Sequence, residues 1–429
     1  MSLKELYSLF LQHPEISTDS RVIKPGSLFF ALKGEHFNGN QYALTALEKG
    51  AAFAIIDEPE FKKNDSFIIV ENVLKTMQDL ATFHRTHFQI PVIAITGTNG
   101  KTTTKELMAS VLSKKYPTAA TPGNLNNHIG VPLTLLSIRK GTGIVITEMG
   151  ANHPGEIDFL CHIAHPTHGI ITNIGRAHLE GFGSFEGIVK TKTELYRYLR
   201  DNQGTVFLNG DDTLLSSQAA GLTATRYGFN EKEQVRGTLL KCDPLVNMEV
   251  HLGNESIAIH SRLFGDYNAT NILAACCIGH FFQVPGQMIK EAIEGFIPSN
   301  NRSELKQTSR NLLILDDYNA NPSSMEAAIR NFISSPYPSK AVVLGDMLEL
   351  GKDSDEEHLG ILKMLETSGI EKVYLIGPEF TRLNTRREWI CFQDSELANI
   401  WFKHQPLTGS TVLIKGSRGI KLEQIAEVL

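Results

Sequence analysis

The residues best suited to chemistry lie in one run, Pro91-Val92-Ile93-Ala94-Ile95-Thr96-Gly97-Thr98-Asn99-Gly100-Lys101-Thr102-Thr103-Thr104. An apolar stretch enters a glycine-bracketed loop holding Thr98 and Asn99, and a lysine and three threonines follow. From Lys105 the pattern turns helical, with Leu107, Met108, Val111 and Leu112 on one face. Strand, tight loop and helix start together form a phosphate cradle. The first N–H groups of a helix lack intrahelical partners, and its dipole favours an anion there. Gly97 and Gly100 let the backbone curl close to that anion. Lys101 would place a charge near the terminal phosphates, and Thr102, or Thr103 beside it, would offer a hydroxyl to Mg²⁺. Only two residues separate Gly97 from Gly100, fewer than in the common P-loop, so the flanking strand and helix carry the assignment. An ordinary glycine-rich turn would not mass a lysine at a helix start, where a cation is unfavourable until an anion arrives.

Two more apolar runs end in groups that could serve such a site. Residues 144–147 lead into Glu148, and an acid at the tip of a buried strand beside a P-loop is where an NTPase keeps a Mg²⁺ partner. Residues 169–174 form the next run, with His178 just beyond; the plain alternative is a loop histidine with a backbone partner. His162, His165 and His168 recur every third residue, but Pro166 breaks the helix between them, which argues against a shared zinc locus. Residues 190–196 read as the start of one basic-then-apolar helix with a solvated face. Asp266 or Asn268 is placed to cap a helix rich in Ala and Cys, whose small residues 274–277 suggest close packing.

These groups need scaffolds. Residues 1–88 look like a small α/β unit: an amphipathic start (Leu3, Leu6, Tyr7, Phe10), a strand between turns at 25–34, a helix at 41–49 stopped by Gly50, and strands at 52–56 and 67–70. Hydroxyls and glycines at its strand ends suit either a polar ligand or plain turn chemistry. Residues 89–300 carry the P-loop. In residues 301–429, apolar runs at 312–315, 341–344, 373–376 and 412–414 alternate with helical patterns near 323–334, 355–368, 394–403 and 420–428. That alternation predicts a parallel, doubly wound α/β sheet, with ligands beyond the strand carboxyl ends. Those ends read Asp316-Asp317-Tyr318-Asn319, Gly345-Asp346-Met347, Gly377-Pro378 and Lys415-Gly416-Ser417-Arg418.

The bulk numbers are consistent with this. At 429 residues the chain has room for two to four domains. A hydrophobic content of 41% and a net charge of −6 fit a soluble globular protein and argue against non-specific nucleic-acid binding. Five cysteines without metal-ligand spacing fit a reducing cytoplasm. Residues 1–12 lack the pattern of a signal peptide, and no stretch has the apolar length of a membrane span.

Several motifs together resemble the Mur ligase family, nearly end to end: Thr96-Gly97-Thr98-Asn99-Gly100-Lys101-Thr102, Asn126-Asn127-His128-Ile129-Gly130-Val131-Pro132-Leu133-Thr134, Glu148-Met149-Gly150-Ala151-Asn152-His153-Pro154-Gly155-Glu156-Ile157 and Ala177-His178-Leu179-Glu180-Gly181-Phe182-Gly183-Ser184. The runs Tyr318-Asn319-Ala320-Asn321-Pro322, Leu344-Gly345-Asp346-Met347-Leu348-Glu349-Leu350-Gly351 and Lys415-Gly416-Ser417-Arg418 resemble the branch that joins D-alanyl-D-alanine to a UDP-N-acetylmuramoyl-tripeptide. The family's shorter P-loop also accounts for the glycine spacing.

The resemblance implies three domains, for the UDP end of the nucleotide substrate, for ATP and Mg²⁺, and for the dipeptide. It implies that Thr102 or Thr103 and Glu148 hold Mg²⁺, that His178 holds a second ion, and that Lys192 is carried as a carbamate, with Lys190 the nearby alternative. Asn268, Asn271 and Arg302, with Asp316 or Asp317, would attend the nucleotide. Ser20, Ser27, Lys33, Asn126, Asn127, Asn319 and Asn321 would meet the other substrates. Lys101, Lys192, Glu148 and His178 would be the catalytic set. A cytoplasmic monomer acting only on small molecules is expected. The chain departs from the family pattern at Asn301, where glycine is usual, and at Asp317, where a small residue is usual. A sibling amide ligase of the folylpolyglutamate synthase kind, a small-molecule kinase and a P-loop nucleotide switch are the rival readings.

Overall fold

The structure is a computed structural model describing residues 1–242, 245–298 and 301–429. Three main sheets follow one another along the chain. The first is parallel, in the order Ile16–Ser17, Leu28–Phe30, Phe53–Ile56, Phe67–Ile69. Leu28, Phe29 and Phe30 are all buried, so both faces of this sheet are covered, as a parallel sheet requires. One cover is the Leu3–Gln12 helix, opened by a Ser2/Glu5 capping box. The Val73–Thr86 helix joins the first unit to the second. Its Arg85 guanidinium donates to the carbonyls of Ala164 and His165, and Gln78 donates to that of His128. The apolar core is therefore continuous from Leu28 and Phe30 through Val73 to Val92 and Val145.

The central sheet has nine strands. Val92–Thr96 lies between Ile144–Glu148 and His168–Ile171, all parallel. Register pairs Ile95 with Glu148 and Thr96 with Ile171. The P-loop, Glu148 and the segment beginning at Thr172 thus leave the sheet at one level. Beyond His168–Ile171 the sheet continues through Thr205–Asn209, Thr223–Gly228 and Val235–Cys242 and ends in the antiparallel strands Leu245–Leu252 and Glu255–Phe264. Residues alternate in burial along those last strands, the mark of a sheet with one wet face. The Tyr267–Phe281 helix packs on the P-loop helix through a fully buried stretch that includes Ala275, Cys276 and Cys277.

The third sheet runs in the order Glu304–Gln307, Leu312–Leu315, Thr411–Lys415, Lys340–Gly345, Lys372–Ile376, Ile390–Phe392, parallel except for the first pair. This is the doubly wound sheet read from the alternation of apolar runs and helices. The last helical pattern is shorter than expected, with a 3₁₀ turn at Arg418–Ile420 and a helix only at Glu423–Ala426.

Two local readings are corrected. Residues 190–196 are not the start of one helix with a solvated face. The Phe185–Lys192 helix stops, and Glu194–Asp201 begins a new one. The Thr193 hydroxyl closes the first by donating to the Val189 and Lys190 carbonyls. Glu194 is buried because its carboxylate accepts N–H bonds from Gly155 and Asp158, capping the neighbouring Glu156–Ala164 helix. Neither Asp266 nor Asn268 caps its own helix. Asp266 accepts from the Asn331 side chain, and Asn268 donates to the Phe264 carbonyl.

Candidate active site

The loop after Val92–Thr96 is built for close approach. Gly97 has φ 142°, and a Cβ there would stand 2.0 Å from the Thr172 hydroxyl; Gly100 has φ 77°, and a Cβ would meet Asn271 Oδ1 at 2.6 Å. Only glycine satisfies both the dihedrals and the space. The loop is stitched to the neighbouring strand end: the Thr98 and Asn99 N–H groups donate to the Asn173 carbonyl and side-chain oxygen, and the Thr172 hydroxyl donates to the Asn99 carbonyl. The Lys101–Leu112 helix starts with no side-chain cap. Its first turn lines a cleft of about 860 Å³, so those N–H groups are left to a ligand. Lys101 Nζ folds back onto the Gly97 and Thr98 carbonyls at 2.7 and 2.9 Å. Burial lowers its pKa to about 8, with Glu148 opposing the shift.

Glu148 is 1% exposed. Its Oε1 accepts from the Thr102 hydroxyl at 3.1 Å and from Asn126 at 2.9 Å. Among the described residues its Oε2 has no hydrogen bond and is ion-paired with the buried Lys105 ammonium at 3.5 Å. A buried carboxylate oxygen left without a hydrogen bond is costly unless something cationic uses it. With the Thr102 and Thr103 hydroxyls on the same cleft wall, the donor set is the oxygen set that Mg²⁺ takes. The residues present therefore fit a divalent ion at Glu148. Lys105, one helical turn beyond Thr102, was not foreseen. The i,i+3 spacing from Thr102 was the available signal.

His178 lies in the same cleft, with φ 51°. Its Nδ1 is paired with Glu349 of the third unit. Burial lowers its pKa, and Glu349 opposes the shift. Lys192 is buried and does not line the cleft; it lies 5.6 Å from the Phe182 ring centroid and makes no ion pair among the described residues. Burial, and then repulsion from Lys101, lowers its pKa to about 7.

The far wall comes from the third unit. Asn321 donates to Asn99 Oδ1 at 2.8 Å, and Asn99 donates to the Ser323 hydroxyl at 2.9 Å, so the P-loop is hydrogen-bonded across the boundary. Asp316 accepts from Lys415 Nζ at 2.6 Å and from the Ser303 N–H at 3.2 Å. Arg302 lies 3.6 Å from the Tyr318 ring centroid. Asn268 and Asn271 are linked to each other and, through Asn271, to Thr104. Asn126, Asn127 and Asn319 also line the cleft. Asn301 adopts φ 55°, the left-handed conformation that asparagine tolerates better than most residues, which is how it stands where the family usually has glycine.

The positions read in the first unit, Ser20, Ser27 and Lys33, lie away from this cleft. Lys33 is ion-paired with Asp57 and Glu58. Ser27 is fully buried and receives a hydrogen bond from the Ser17 hydroxyl. Ser20 is half-buried, and its carbonyl accepts from Lys49. The three spaced histidines go separate ways: His162 Nδ1 bonds to the Asp158 carbonyl, His165 Nδ1 to the Tyr198 hydroxyl and His168 Nδ1 to the Thr167 hydroxyl.

Family models match three successive stretches: "Mur ligase family, catalytic domain" at residues 14–94, "Mur ligase middle domain" at 95–279, and "Mur ligase, glutamate ligase domain" at 301–418. The chain is 33% identical to the UDP-N-acetylmuramoyl-tripeptide--D-alanyl-D-alanine ligase of Bacillus subtilis (strain 168), covering 96% of this chain and 92% of that one. The chain belongs to the Mur ligase family. Solved Mur ligase structures agree. A crystal structure of MurF from Acinetobacter baumannii superposes with TM-score 0.85 at 31% identity, covering 96% of this chain and 92% of that one. MurF ligase from Thermotoga maritima in complex with ADP gives 0.83 at 27% identity, covering 96% of each chain. Among the described residues, no helix of this Mur ligase is long and apolar enough to cross a membrane.

Proposed function

We propose that this Mur ligase joins D-alanyl-D-alanine to UDP-N-acetylmuramoyl-tripeptide at the expense of ATP, giving the UDP-linked pentapeptide, ADP and phosphate, in the cytoplasm. The observation that carries the reading is the single cleft in which the P-loop, Glu148 and His178 face Arg302, Asp316, Asn319 and Asn321 of the third unit. Likeness over nearly the whole chain to ligases of that name favours it over a sibling ligase or a nucleotide switch.

A peptide carboxylate is a poor electrophile for an amine, so it must first be activated. The tripeptide carboxylate attacks the γ-phosphorus of ATP; an oxygen–phosphorus bond forms and the bond to ADP breaks. The dipeptide amine then attacks the acyl carbon, phosphate leaves and the amine loses its proton. The chain's contribution is positioning and charge. The uncapped N–H groups at the start of the Lys101–Leu112 helix hold the phosphates, and Lys101 leaves its carbonyl perch to offset charge on the transferring group. Asn268, Asn271, Arg302 and Asp316 hold the nucleoside. Glu148, Thr102, Thr103 and His178 would hold Mg²⁺, which supplies further neutralisation of the phosphate oxygens. Asn321 on Asn99 and Glu349 on His178 hold the third unit against the central one and keep water away from the acyl phosphate. Lys192, with a pKa of about 7, presents the neutral amine that reacts with CO₂, so a carbamate there would add an anionic oxygen beside the cations. Ser20, Ser27 and Lys33 belong to the unit assigned to the UDP end. Asn126 and Asn127 are assigned to the peptide.

The test is phosphate release with ATP, Mg²⁺, UDP-N-acetylmuramoyl-tripeptide and D-alanyl-D-alanine, omitting each in turn. Release should need all four. Full-rate release without the dipeptide would sink the ligase reading.

A further inference from the structure

One turn of the P-loop helix reaches both oxygens of Glu148. The Thr102 hydroxyl donates to Oε1, and Lys105, three residues on, stands 3.5 Å from Oε2. Lys105 is 2% exposed and does not line the cleft. Its Nζ donates to the Gly123 carbonyl at 2.7 Å. A charged N–H···O bond to a carboxylate runs to about 2.7–2.9 Å, so the hydrogen bond goes to Gly123 and Glu148 receives only charge. The ammonium thus offsets a buried carboxylate, which would be costly alone, while Oε2 keeps its lone pairs. The segment that holds Lys105 also holds Glu148. The Thr121 hydroxyl accepts the Glu148 N–H at 2.9 Å, and Asn126 donates to Oε1 at 2.9 Å. Acid and lysine are therefore fixed as a charge-balanced pair.

We infer that Lys105 ties divalent-ion binding at Glu148 to the nucleotide, by balancing the carboxylate so that an ion enters with the phosphates and not alone. The inference rests on the nucleotide and Mg²⁺ reading of the cleft. Mg²⁺ gives up its water reluctantly and is held through one or two carboxylates together with substrate phosphates. One carboxylate already opposed by an ammonium offers a bare ion little net charge. A nucleotide at the helix start brings several negative charges, and the free lone pairs of Oε2 then serve as a ligand. Lys105 is a positioning residue that acts through Glu148. A neutral side chain in its place would leave the carboxylate open to a divalent ion with or without nucleotide.

The test measures binding of Mn²⁺, a probe that favours the same oxygen ligands as Mg²⁺, by electron paramagnetic resonance of the free ion. It uses the full chain with and without ADP, as wild type, Lys105→Gln, Lys105→Arg and the double variant Lys105→Gln/Glu148→Gln. Glutamine can still donate to the Gly123 carbonyl, so the charge is removed and the anchor kept. Without nucleotide, Lys105→Gln should bind Mn²⁺ roughly ten-fold or more tightly than the wild type, the effect of deleting a cation beside an ion site. Lys105→Arg should match the wild type, and the double variant should lose the gain. If Lys105→Gln is unfolded, Mn²⁺ alone should restore its circular dichroism spectrum by supplying the missing charge. Equal or weaker Mn²⁺ binding by Lys105→Gln, a gain that survives Glu148→Gln, or an unfolded variant that Mn²⁺ does not rescue would overturn the inference. So would a wild type that binds Mn²⁺ as tightly alone as with ADP. A wild type that binds no ADP would instead overturn the nucleotide reading of the cleft.

Discussion

Glu148 and Asp346 occupy the same kind of place, the tip of a buried parallel strand, one in the central sheet and one in the third. Both are 1% exposed. Asp346 is fully engaged: its oxygens accept the N–H groups of Glu379 and Phe380 at 2.8 and 2.9 Å, capping the start of the Pro378–Leu383 helix. It does not line the cleft. Glu148 keeps one oxygen without a hydrogen bond and does line the cleft. A buried acid that the fold satisfies is a structural cap, whereas one with an open oxygen on the cleft wall, as at Glu148, is a candidate ligand site. Asp317 is a third case, buried away from the cleft with neither oxygen hydrogen-bonded among the described residues. Burial raises its pKa to about 6.

The contrast can be broken by substitution. Lys101→Ala removes the P-loop cation and should lower turnover on the order of 10³-fold or more with an unchanged circular dichroism spectrum. Near-normal phosphate release in that variant would remove the P-loop from the mechanism. Glu148→Gln should cost roughly 10²–10³-fold in turnover with little change in unfolding midpoint. Asp346→Asn should do the reverse, because an amide cannot accept both N–H bonds. It should lose about 2 kcal/mol in denaturant unfolding while turnover stays close to normal. If the two variants behaved alike, the distinction would fail.

Lys192→Ala should slow turnover by about ten- to a hundred-fold, as expected of a group acting through neighbouring ligands. With its pKa near 7, the wild-type amine charges as pH falls below that value. Activity should then decline and become sensitive to CO₂-free buffer, and bicarbonate should restore it above pH 7. An identical profile with and without bicarbonate would exclude the carbamate. Asp317 should affect only stability. Its folded pKa lies above the ordinary 3.8, so between those values the folded protein binds more protons than the unfolded chain. Stability should fall as pH rises from about 4 to 6, by about 3 kcal/mol in all. Asp317→Asn should flatten that slope and gain about 1–2 kcal/mol above it, the rest being lost because a buried amide is also unpaired. Urea titrations at several pH values would show it.

The elements nearest the chemistry were legible because their signals are local. The apolar run into Gly97, the lysine at the helix start and the helical spacing from Leu107 to Leu112 each follow from neighbours within a few residues. The alternation of strands and helices after residue 301 is equally local, and it revealed the doubly wound sheet. The antiparallel strands between 235 and 264 went unread, since their half-buried alternation was not separated from the turns around them. The break between Lys192 and Glu194 was missed because its cause, Glu194 capping the Glu156–Ala164 helix, lies almost forty positions away in the chain.

Residue order along the chain was enough to show the P-loop pattern and which runs become strands or helices, because backbone preference and hydrophobic period act over short spans. Which acid is capped and which is left open, which lysine is desolvated, and which asparagine of the third unit bonds to the P-loop were settled only by packing. Those outcomes depend on the low dielectric and the hydrogen-bond partners that distant segments bring together, and no short span of sequence carries that information.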